Sequence, residues 1–232
     1  SAAVLLIAHN LGVIRSVCDR VGVMYAGKIV EEGDAAAVFE DPQHPYTVAL
    51  LRSLPRHGIR KSQRPLSTIP GNLPQIGSTL PACVFVDRCP LATELCRTVV
   101  PPVVDVGRAR ELVEPVANPG TDAVQGELAL TLSQVSKTFR QSGHPVPALV
   151  KIDLSLYDGE TLGLVGESGS GKSTLAKTIL GIEGPDAGGS ITLGTHTLDA
   201  QASRRPTEDK RSIQMVFQNP DSALNRGWTV RR

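Results

Sequence analysis

Apolar residues in the first quarter of the chain follow the spacings of strands and helices in α/β proteins. Residues 4–8 form a short apolar run that is typical of a buried strand, and Asn10 is a residue type that begins helices. Ala26 and Gly27 separate two short strand-like runs, which indicates a hairpin. The pattern predicts, in order, a strand 4–8, a helix 10–18, strands 20–25 and 28–32, a short helix 34–40 and a helix from 44 to about 54.

The middle of the chain has a different composition. Ten of the 17 prolines lie between Pro55 and Pro119, and three of the four cysteines lie there too. Such a stretch is typical of a loop-rich segment or a linker. From residue 127 the α/β pattern resumes. It predicts strands at 128–135, 152–157, 161–165, 190–193 and 213–217.

A glycine-rich sequence directly follows the predicted strand 161–165. Residues 166–174 read Gly-Glu-Ser-Gly-Ser-Gly-Lys-Ser-Thr, and apolar residues at helical spacing follow at Leu175, Ile179 and Ile182. A strand, a glycine loop and a helix in this order predict a phosphate-binding loop. Glycines let several N–H groups point at one anion, the helix adds its positive end, and lysine adds a point charge. The alternative is a glycine-rich turn before an ordinary helix.

Composition and charge narrow the function classes. The net charge is +1 and 41% of the residues are apolar, so the chain can form a core but lacks the basic balance of a nucleic-acid binder. No apolar run of 18 residues and no signal peptide is present, and cysteines are few. We therefore expect a soluble or peripheral protein in a reducing cytosol, with no nucleic-acid partner.

The second half of the chain resembles the first half of an ABC transporter nucleotide-binding domain. The resemblance is carried by the glycine loop and by residues 213–220, Ile-Gln-Met-Val-Phe-Gln-Asn-Pro. It implies ATP and Mg²⁺ as ligands, with Phe139 stacking on adenine and with Ser173 and Gln218 contacting Mg²⁺. The residues that it implies for nucleotide binding are Phe139, Gly166, Glu167, Ser168, Gly169, Ser170, Gly171, Lys172, Ser173, Thr174 and Gln218.

The first part of the chain is similar to the last third of such a domain. Residues 5–14, Leu-Leu-Ile-Ala-His-Asn-Leu-Gly-Val-Ile, resemble the strand that ends in the switch histidine, which implies a catalytic role for His9. A core histidine with a backbone partner is the alternative. Residues 19–33 and 44–51 resemble the di- and oligopeptide importer branch of the family.

Residues 81–97 resemble the cysteine-bearing C-terminal extension of that branch. In the branch, similar cysteines hold a 4Fe–4S cluster, so the resemblance implies Cys83, Cys89 and Cys96 as iron ligands. A fourth cysteine is missing from the matching position after Pro101-Pro102, and Cys18 lies in a predicted helix far from the motif. A three-cysteine cluster with an outside ligand, or a remnant without iron, stays open.

The resemblance implies a particular order of domains. We expect an α/β fold built of P-loop ATPase pieces, part of a tandem fusion cut at both ends. The predicted parts are the end of one nucleotide-binding domain at 1–55, the cysteine- and proline-rich extension at 56–105, a linker at 106–126 and the first half of a second nucleotide-binding domain at 127–232. On this interpretation His9 and Lys172 serve different ATP sites.

The same resemblance implies the function. We expect an ATPase subunit of a di- or oligopeptide importer on the inner face of the plasma membrane. Its partners would be transmembrane permease subunits, a second nucleotide-binding domain and, indirectly, a solute-binding protein. Two alternatives are a soluble ABC ATPase that acts on nucleic acid and a non-catalytic interaction module. Because the signature segment and the Walker B residues are missing, we expect this polypeptide alone to bind MgATP weakly and to turn it over negligibly.

Overall fold

Strands from distant parts of the chain lie side by side in one sheet. The computed structural model describes residues 2–8, 10–54, 68–74, 79–106, 109–110, 126–141 and 143–216. The strands are β1 (Val4–Ile7), β2 (Arg20–Tyr25), β3 (Lys28–Asp34), β4 (Ala109–Arg110), β5 (Leu128–Gln141), β6 (His144–Tyr157), β7 (Thr161–Val165), β8 (Ser190–Leu193) and β9 (His196–Thr197). The helices are α1 (Leu11–Val17), α2 (Ala35–Glu40), α3 (Pro45–Arg52), α4 (Leu95–Thr98), α5 (Lys172–Ile179) and α6 (Thr207–Ser212), with short 3₁₀ turns at Val86–Arg88 and Ala202–Arg204.

The first sheet, within the described residues, has the strand order β1-β7-β2-β3-β4. The central strand β7 runs parallel to both neighbours, with Leu5 opposite Leu162 and Val21 opposite Gly163. Leu162 and Leu164 are fully buried, as the continuous apolar run predicts for a central parallel strand. Both neighbours of β7 come from the first 25 residues. The strand that leads into the predicted phosphate-binding loop therefore depends on pairing with the N-terminal part of the chain.

The second sheet is antiparallel and is built around the β5–β6 hairpin. In the part of the chain described, its strand order is β6-β5-β8-β9. Both hairpin strands are longer than the sequence pattern predicts, because pairing continues through mixed apolar and polar positions to Gln141 opposite His144. Bulges interrupt the ladder, and Gln134 and Lys151 adopt positive φ angles of 51° and 48°. These bulges break the strict alternation that sequence analysis relies on.

Each face of the first sheet covers its own apolar cluster. Leu162 and Leu164 of β7 pack with the hairpin and with Leu175 of α5, whereas Val165 packs on the opposite side with Tyr46. Helix α1 approaches β7 closely at Gly163, where an added Cβ would lie 2.6 Å from the Ile14 side chain and 3.0 Å from Cys18 Sγ. Any larger residue at Gly163 would push helix α1 off the sheet.

Most predicted elements are present, with two differences at their ends. Asn10 caps α1 by accepting from Gly12 N at 2.9 Å, and Asp34 caps α2 in the same way. Helix α3 ends at Arg52, two residues before the predicted end, and Ile182 lies beyond α5 with 58% of its surface exposed. The predicted strand 213–217 is wrong over its described residues 213–216, which have no ladder partner among the described strands.

The structure brings together segments that the sequence analysis assigns to two domains. Strands β1, β2 and β3 come from the predicted first domain, and β7 comes from the predicted second domain. That division stays a prediction, but in this chain the two segments form one mixed α/β unit. Within the ranges given above, none of the helices has the length and apolar character to cross a bilayer.

A buried ion-pair network also joins the two segments. Arg20 at the start of β2 donates to Glu160 Oε1 at 2.7 Å and pairs with Glu32 of β3. The side chains are 12%, 0% and 4% exposed for Arg20, Glu160 and Glu32. Glu160 Oε2 also accepts from Tyr157 N at 2.8 Å, so the carboxylate closes the turn between β6 and β7. Arg20 thus compensates two buried carboxylates at once.

We expect Arg20→Met to lower the free energy of unfolding by about 3 kcal/mol, because it removes the cation that pairs with two buried carboxylates. Urea unfolding followed by circular dichroism measures this. The matched control is Arg15→Met, since Arg15 pairs with Glu40 at 3.7 Å on the surface, with 60% and 68% of the side chains exposed. That control should change stability by less than about 0.5 kcal/mol. Equal losses in both variants would contradict the prediction.

Candidate functional site

The loop between β7 and α5 has the backbone of an anion-binding turn. Gly166, Gly169 and Gly171 adopt φ angles of 150°, 85° and 110°, which favour glycine. A Cβ at Gly166 would lie 2.1 Å from Met24 O, and one at Gly171 would lie 2.7 Å from Ala148 O. The neighbouring strands therefore require glycine at both ends of residues 166–171, which we call the phosphate loop.

Lys172 begins α5 and folds back over the phosphate loop. Its Nζ donates to Gly166 O and Glu167 O at 2.8 Å each and to Ser170 Oγ at 3.1 Å, and the residue is 4% exposed. Burial lowers the pKa of Lys172, while the charge of Glu167 acts in the opposite direction. The loop is thus wrapped around an ammonium group at the N-terminus of a helix, where two positive fields coincide.

The β2–β3 turn supports the phosphate loop from beneath. Gly27 N donates to Ser170 O at 2.9 Å, and Gly27 O accepts from Val150 N of β6 at 2.8 Å. Ala26 and Gly27 both have positive φ, at 46° and 80°. The predicted hairpin turn at this dipeptide therefore also connects the phosphate loop to both sheets.

Glu167 is held from two sides. Its backbone N–H donates to the Tyr46 hydroxyl at 2.8 Å, and its carboxylate accepts from Arg88 Nη1 and Nη2 at 2.7 and 3.1 Å. Burial raises the pKa of Tyr46 well above its ordinary value, so the hydroxyl stays protonated. The backbone position of Glu167 is therefore set by Tyr46 of the chain's first part, and its charge is compensated by Arg88 of the middle segment.

An aromatic cluster fixes these partners. The ring of Tyr25 lies 4.7 Å from that of Tyr46 and 5.2 Å from that of Phe85, and Tyr46 and Phe85 are 5.4 Å apart. All three residues are at most 1% exposed. The aromatic packing therefore joins β2, α3 and the residues before Arg88 into one support behind the phosphate loop.

The structure places the predicted site residues unevenly. Ser168 lies in the phosphate loop, and Ser173 and Thr174 lie in the first turn of α5. Phe139 lies on β5 opposite Val146 of β6. Val146 is two positions before Ala148, whose carbonyl oxygen would lie 2.7 Å from a Cβ on Gly171. The predicted roles of these residues stay predictions. His9 and Gln218 lie outside the described residues.

The three cysteines of the middle segment are close along the backbone. Cys83 N donates to Cys96 O at 2.9 Å, and Cys96 Sγ lies 3.3 Å from the Thr93 hydroxyl. Burial raises the pKa of Cys83, while the hydrogen bond from Thr93 lowers that of Cys96. Among the residues described here, no three cysteine, histidine or acidic side chains are arranged to hold a metal ion. The iron–sulfur hypothesis for Cys83, Cys89 and Cys96 is not supported by this arrangement.

Two residues at the loop escaped sequence analysis. Neither Tyr46 nor Arg88 belongs to a functional motif in the sequence. Arg88 stands 79 residues before Glu167, and Tyr46 stands 121 residues before it, so no local pattern connects them. A weak signal existed in the His44-Pro45 helix start, which predicts where Tyr46 lies but not what its hydroxyl contacts.

Comparison with known proteins identifies both halves of the chain. The family model for the oligopeptide/dipeptide transporter C-terminal region matches residues 30–96, and the ABC transporter model matches residues 149–232. The chain belongs to the ABC transporter ATP-binding proteins. The second match covers the phosphate loop, which agrees with the P-loop ATPase fold that the resemblance implies.

Curated relatives point to peptide import. The chain is 35% identical to the oligopeptide transport ATP-binding protein OppD of Mycobacterium tuberculosis over 97% of its length and 40% of the relative's. It is 34% identical to the glutathione import ATP-binding protein GsiA of Escherichia coli over 99% of its length and 32% of the relative's. A putative peptide import ATP-binding protein of Brucella melitensis is 44% identical over 45% of the chain and 32% of the relative. The chain thus spans about a third to two fifths of these relatives.

The helix that carries Tyr46 begins at a buried charge and a half-buried histidine. Glu31 accepts from Gln43 N and His44 N at 2.9 Å each, and His44 Nδ1 accepts from Tyr46 N at 3.1 Å. Burial lowers the pKa of His44 to about 4. A neutral imidazole is therefore needed, because a protonated Nδ1 cannot accept the hydrogen bond that begins α3.

We expect this histidine to make stability pH-dependent. Because the pKa of His44 is about 4 when folded and about 6.5 when unfolded, the unfolded state binds more protons between these values. Its contribution is complete above pH 6.5 and is lost as the pH falls toward 4, by up to about 3 kcal/mol. Urea unfolding from pH 7.5 to 4.5 measures it against His44→Asn, which keeps a capping oxygen but does not titrate. Parallel stability curves for the two proteins would contradict the prediction.

Proposed function

We propose that the chain is part of the ATP-binding and ATP-hydrolysing subunit of an ABC importer for di- or oligopeptides. The observation that carries this proposal is the phosphate loop, with three glycines at positive φ and the Lys172 ammonium enclosed at the start of α5. No other chemistry uses this combination as directly as binding a nucleotide's phosphates. The family match supports the same interpretation.

Phosphate binding would use the Lys172 ammonium and the N-terminus of α5. Lys172 donates three hydrogen bonds to the phosphate loop itself, so an incoming phosphate oxygen would replace some of these with stronger charge-assisted bonds. Backbone N–H groups at the start of α5 and the helix dipole would add to the attraction. The Ser173 hydroxyl, in the first helical turn, is a suitable Mg²⁺ ligand, and Gln218 is the second predicted one.

Hydrolysis needs a residue that positions water and the γ-phosphate, and His9 is the predicted candidate. Strand β1 ends at Ile7 and lies parallel to β7, with Ile7 opposite Leu164. The carboxyl ends of both strands therefore meet at the same sheet edge, which is where the phosphate loop begins. This register supports the predicted catalytic role of His9.

The relatives support the solute class and the setting. Their names describe transport of oligopeptides, import of peptides and import of glutathione, which are all peptide-like solutes. We therefore propose transmembrane permease subunits as partners, a solute-binding protein as an indirect partner, and pairing with a second nucleotide-binding domain. The setting would be the cytoplasmic face of the plasma membrane. That two relatives match nearly the whole chain supports the predicted tandem arrangement of domains.

We expect Lys172→Ala to weaken MgADP binding at least about tenfold, because it removes a cation that contacts the phosphates. Isothermal titration calorimetry on the 232-residue chain measures the dissociation constant, and the melting temperature checks folding. Lys177→Ala is the matched control, since Lys177 is an exposed lysine in the last turn of the same helix. Equal affinity in Lys172→Ala and the wild-type chain would contradict nucleotide binding by this loop.

The same pair of variants tests the transport role in cells. The full-length parent protein carrying Lys172→Ala should lose most uptake of a radiolabelled tripeptide, whereas the Lys177→Ala parent should retain it. Normal tripeptide uptake with the Lys172→Ala parent, at wild-type protein level, would contradict the proposal that this loop energises peptide import.

A further inference from the structure

The middle segment of the chain reaches the phosphate loop through one arginine. Residues 68–74 and 79–106, here called the cysteine segment, contain Arg88 in the 3₁₀ turn Val86–Arg88. Two parts of this segment approach the loop. Arg88 pairs with Glu167. The Leu73 side chain would lie 3.5 Å from a Cβ added at Gly169. The cysteine segment is therefore a neighbour of the nucleotide site and not a remote appendage.

Arg88 is held in one orientation. Its Nε donates to Pro70 O at 2.8 Å, and its Nη1 lies 3.3 Å from the Tyr25 hydroxyl. The guanidinium carbon lies 5.6 Å from the centre of the Tyr25 ring, and only 4% of the side chain is exposed. These contacts leave the two Nη atoms aimed at one carboxylate, in the side-by-side geometry that arginine forms with acids.

Glu167 places a negative charge inside a loop whose role is to attract anions. Its carbonyl accepts from Lys172, and its carboxylate is 30% exposed. An uncompensated carboxylate within about 10 Å of a bound phosphate opposes binding by roughly a factor of ten at an effective dielectric constant of about 20. The paired contact with Arg88 cancels that charge.

We propose that Arg88 is a positioning residue that neutralises Glu167 and thereby makes the phosphate loop competent to bind nucleotide. The inference rests on the proposed nucleotide-binding function. It assigns the cysteine segment a role in nucleotide affinity, since the segment supplies the compensating cation. Arg88 acts through Glu167 and does not itself contact the phosphates.

The test compares dissociation constants for MgADP by calorimetry on the full 232-residue chain, with melting temperatures as a folding check. Arg88→Ala should weaken binding about tenfold. Glu167→Gln keeps the shape and removes the negative charge, so it should bind MgADP about threefold more tightly than wild type or better, because the Arg88 cation beside the loop is then uncompensated. The double variant Arg88→Ala/Glu167→Gln should return to within about threefold of wild type, because the opposing charge is gone.

The matched control is Arg97→Ala. Arg97 belongs to the same segment and pairs with Asp87 at 2.8 Å, but both side chains are more than half exposed. It should leave the dissociation constant unchanged. If Arg88→Ala does not fold, Arg88→Lys and Arg88→Gln replace it. Lysine keeps the charge, so the dissociation constant should stay within about threefold of wild type. Glutamine removes the charge and should weaken binding about tenfold.

Rescue by the second substitution separates charge compensation from mere support of the fold. A double variant as weak as Arg88→Ala, or an Arg88→Ala variant with wild-type affinity, overturns the inference while leaving nucleotide binding intact. Absence of MgADP binding by the wild-type chain, at concentrations up to the millimolar range, instead overturns the proposed function and this inference with it.

Discussion

The pairing of β7 with β1 and β2 is the constraint on which the rest of the structure depends. Asp19 and Thr161 exchange hydrogen bonds at 2.8 and 2.9 Å where β2 and β7 begin, although they are 142 residues apart. The strand that ends in the phosphate loop therefore exists only as the middle member of a sheet whose neighbours come from the chain's other end. The buried Arg20–Glu160 pair reinforces the same connection with charge. Disrupting either contact would weaken the sheet that positions the phosphate loop.

The local features of the site could be predicted from the sequence because they are short-range. The apolar run 161–165, the glycine spacing and the helix after Lys172 are contiguous, and backbone geometry alone gives them meaning. The same holds for the Ala26-Gly27 turn and for the caps at Asn10 and Asp34. The sequence did not reveal that the Ala26-Gly27 turn supports the loop, because that contact depends on tertiary packing.

The remaining features depend on long-range contacts or on irregular pairing. Arg88 and Tyr46 reach Glu167 from far along the chain, so only the fold shows that they share a partner. The long β5–β6 hairpin contains bulges and polar positions, which hide its length from any period-two pattern. Residues 213–216, Ile-Gln-Met-Val, look like a strand, but Val216 is 95% exposed and they have no described sheet to join. For the three cysteines, the spacing is not matched by a ligand geometry among the described residues.

The position of β7 also has a consequence for how the protein folds. A centrally placed parallel strand with partners more than a hundred residues away gives a high contact order, so its pairing is slow and comes late. Until β7 has paired with its neighbours, the phosphate loop lacks its contacts with the Met24 carbonyl, the Gly27 amide and the Tyr46 hydroxyl. The proposed nucleotide affinity would therefore arise only after the whole unit has folded, and a nascent or misassembled chain would lack it.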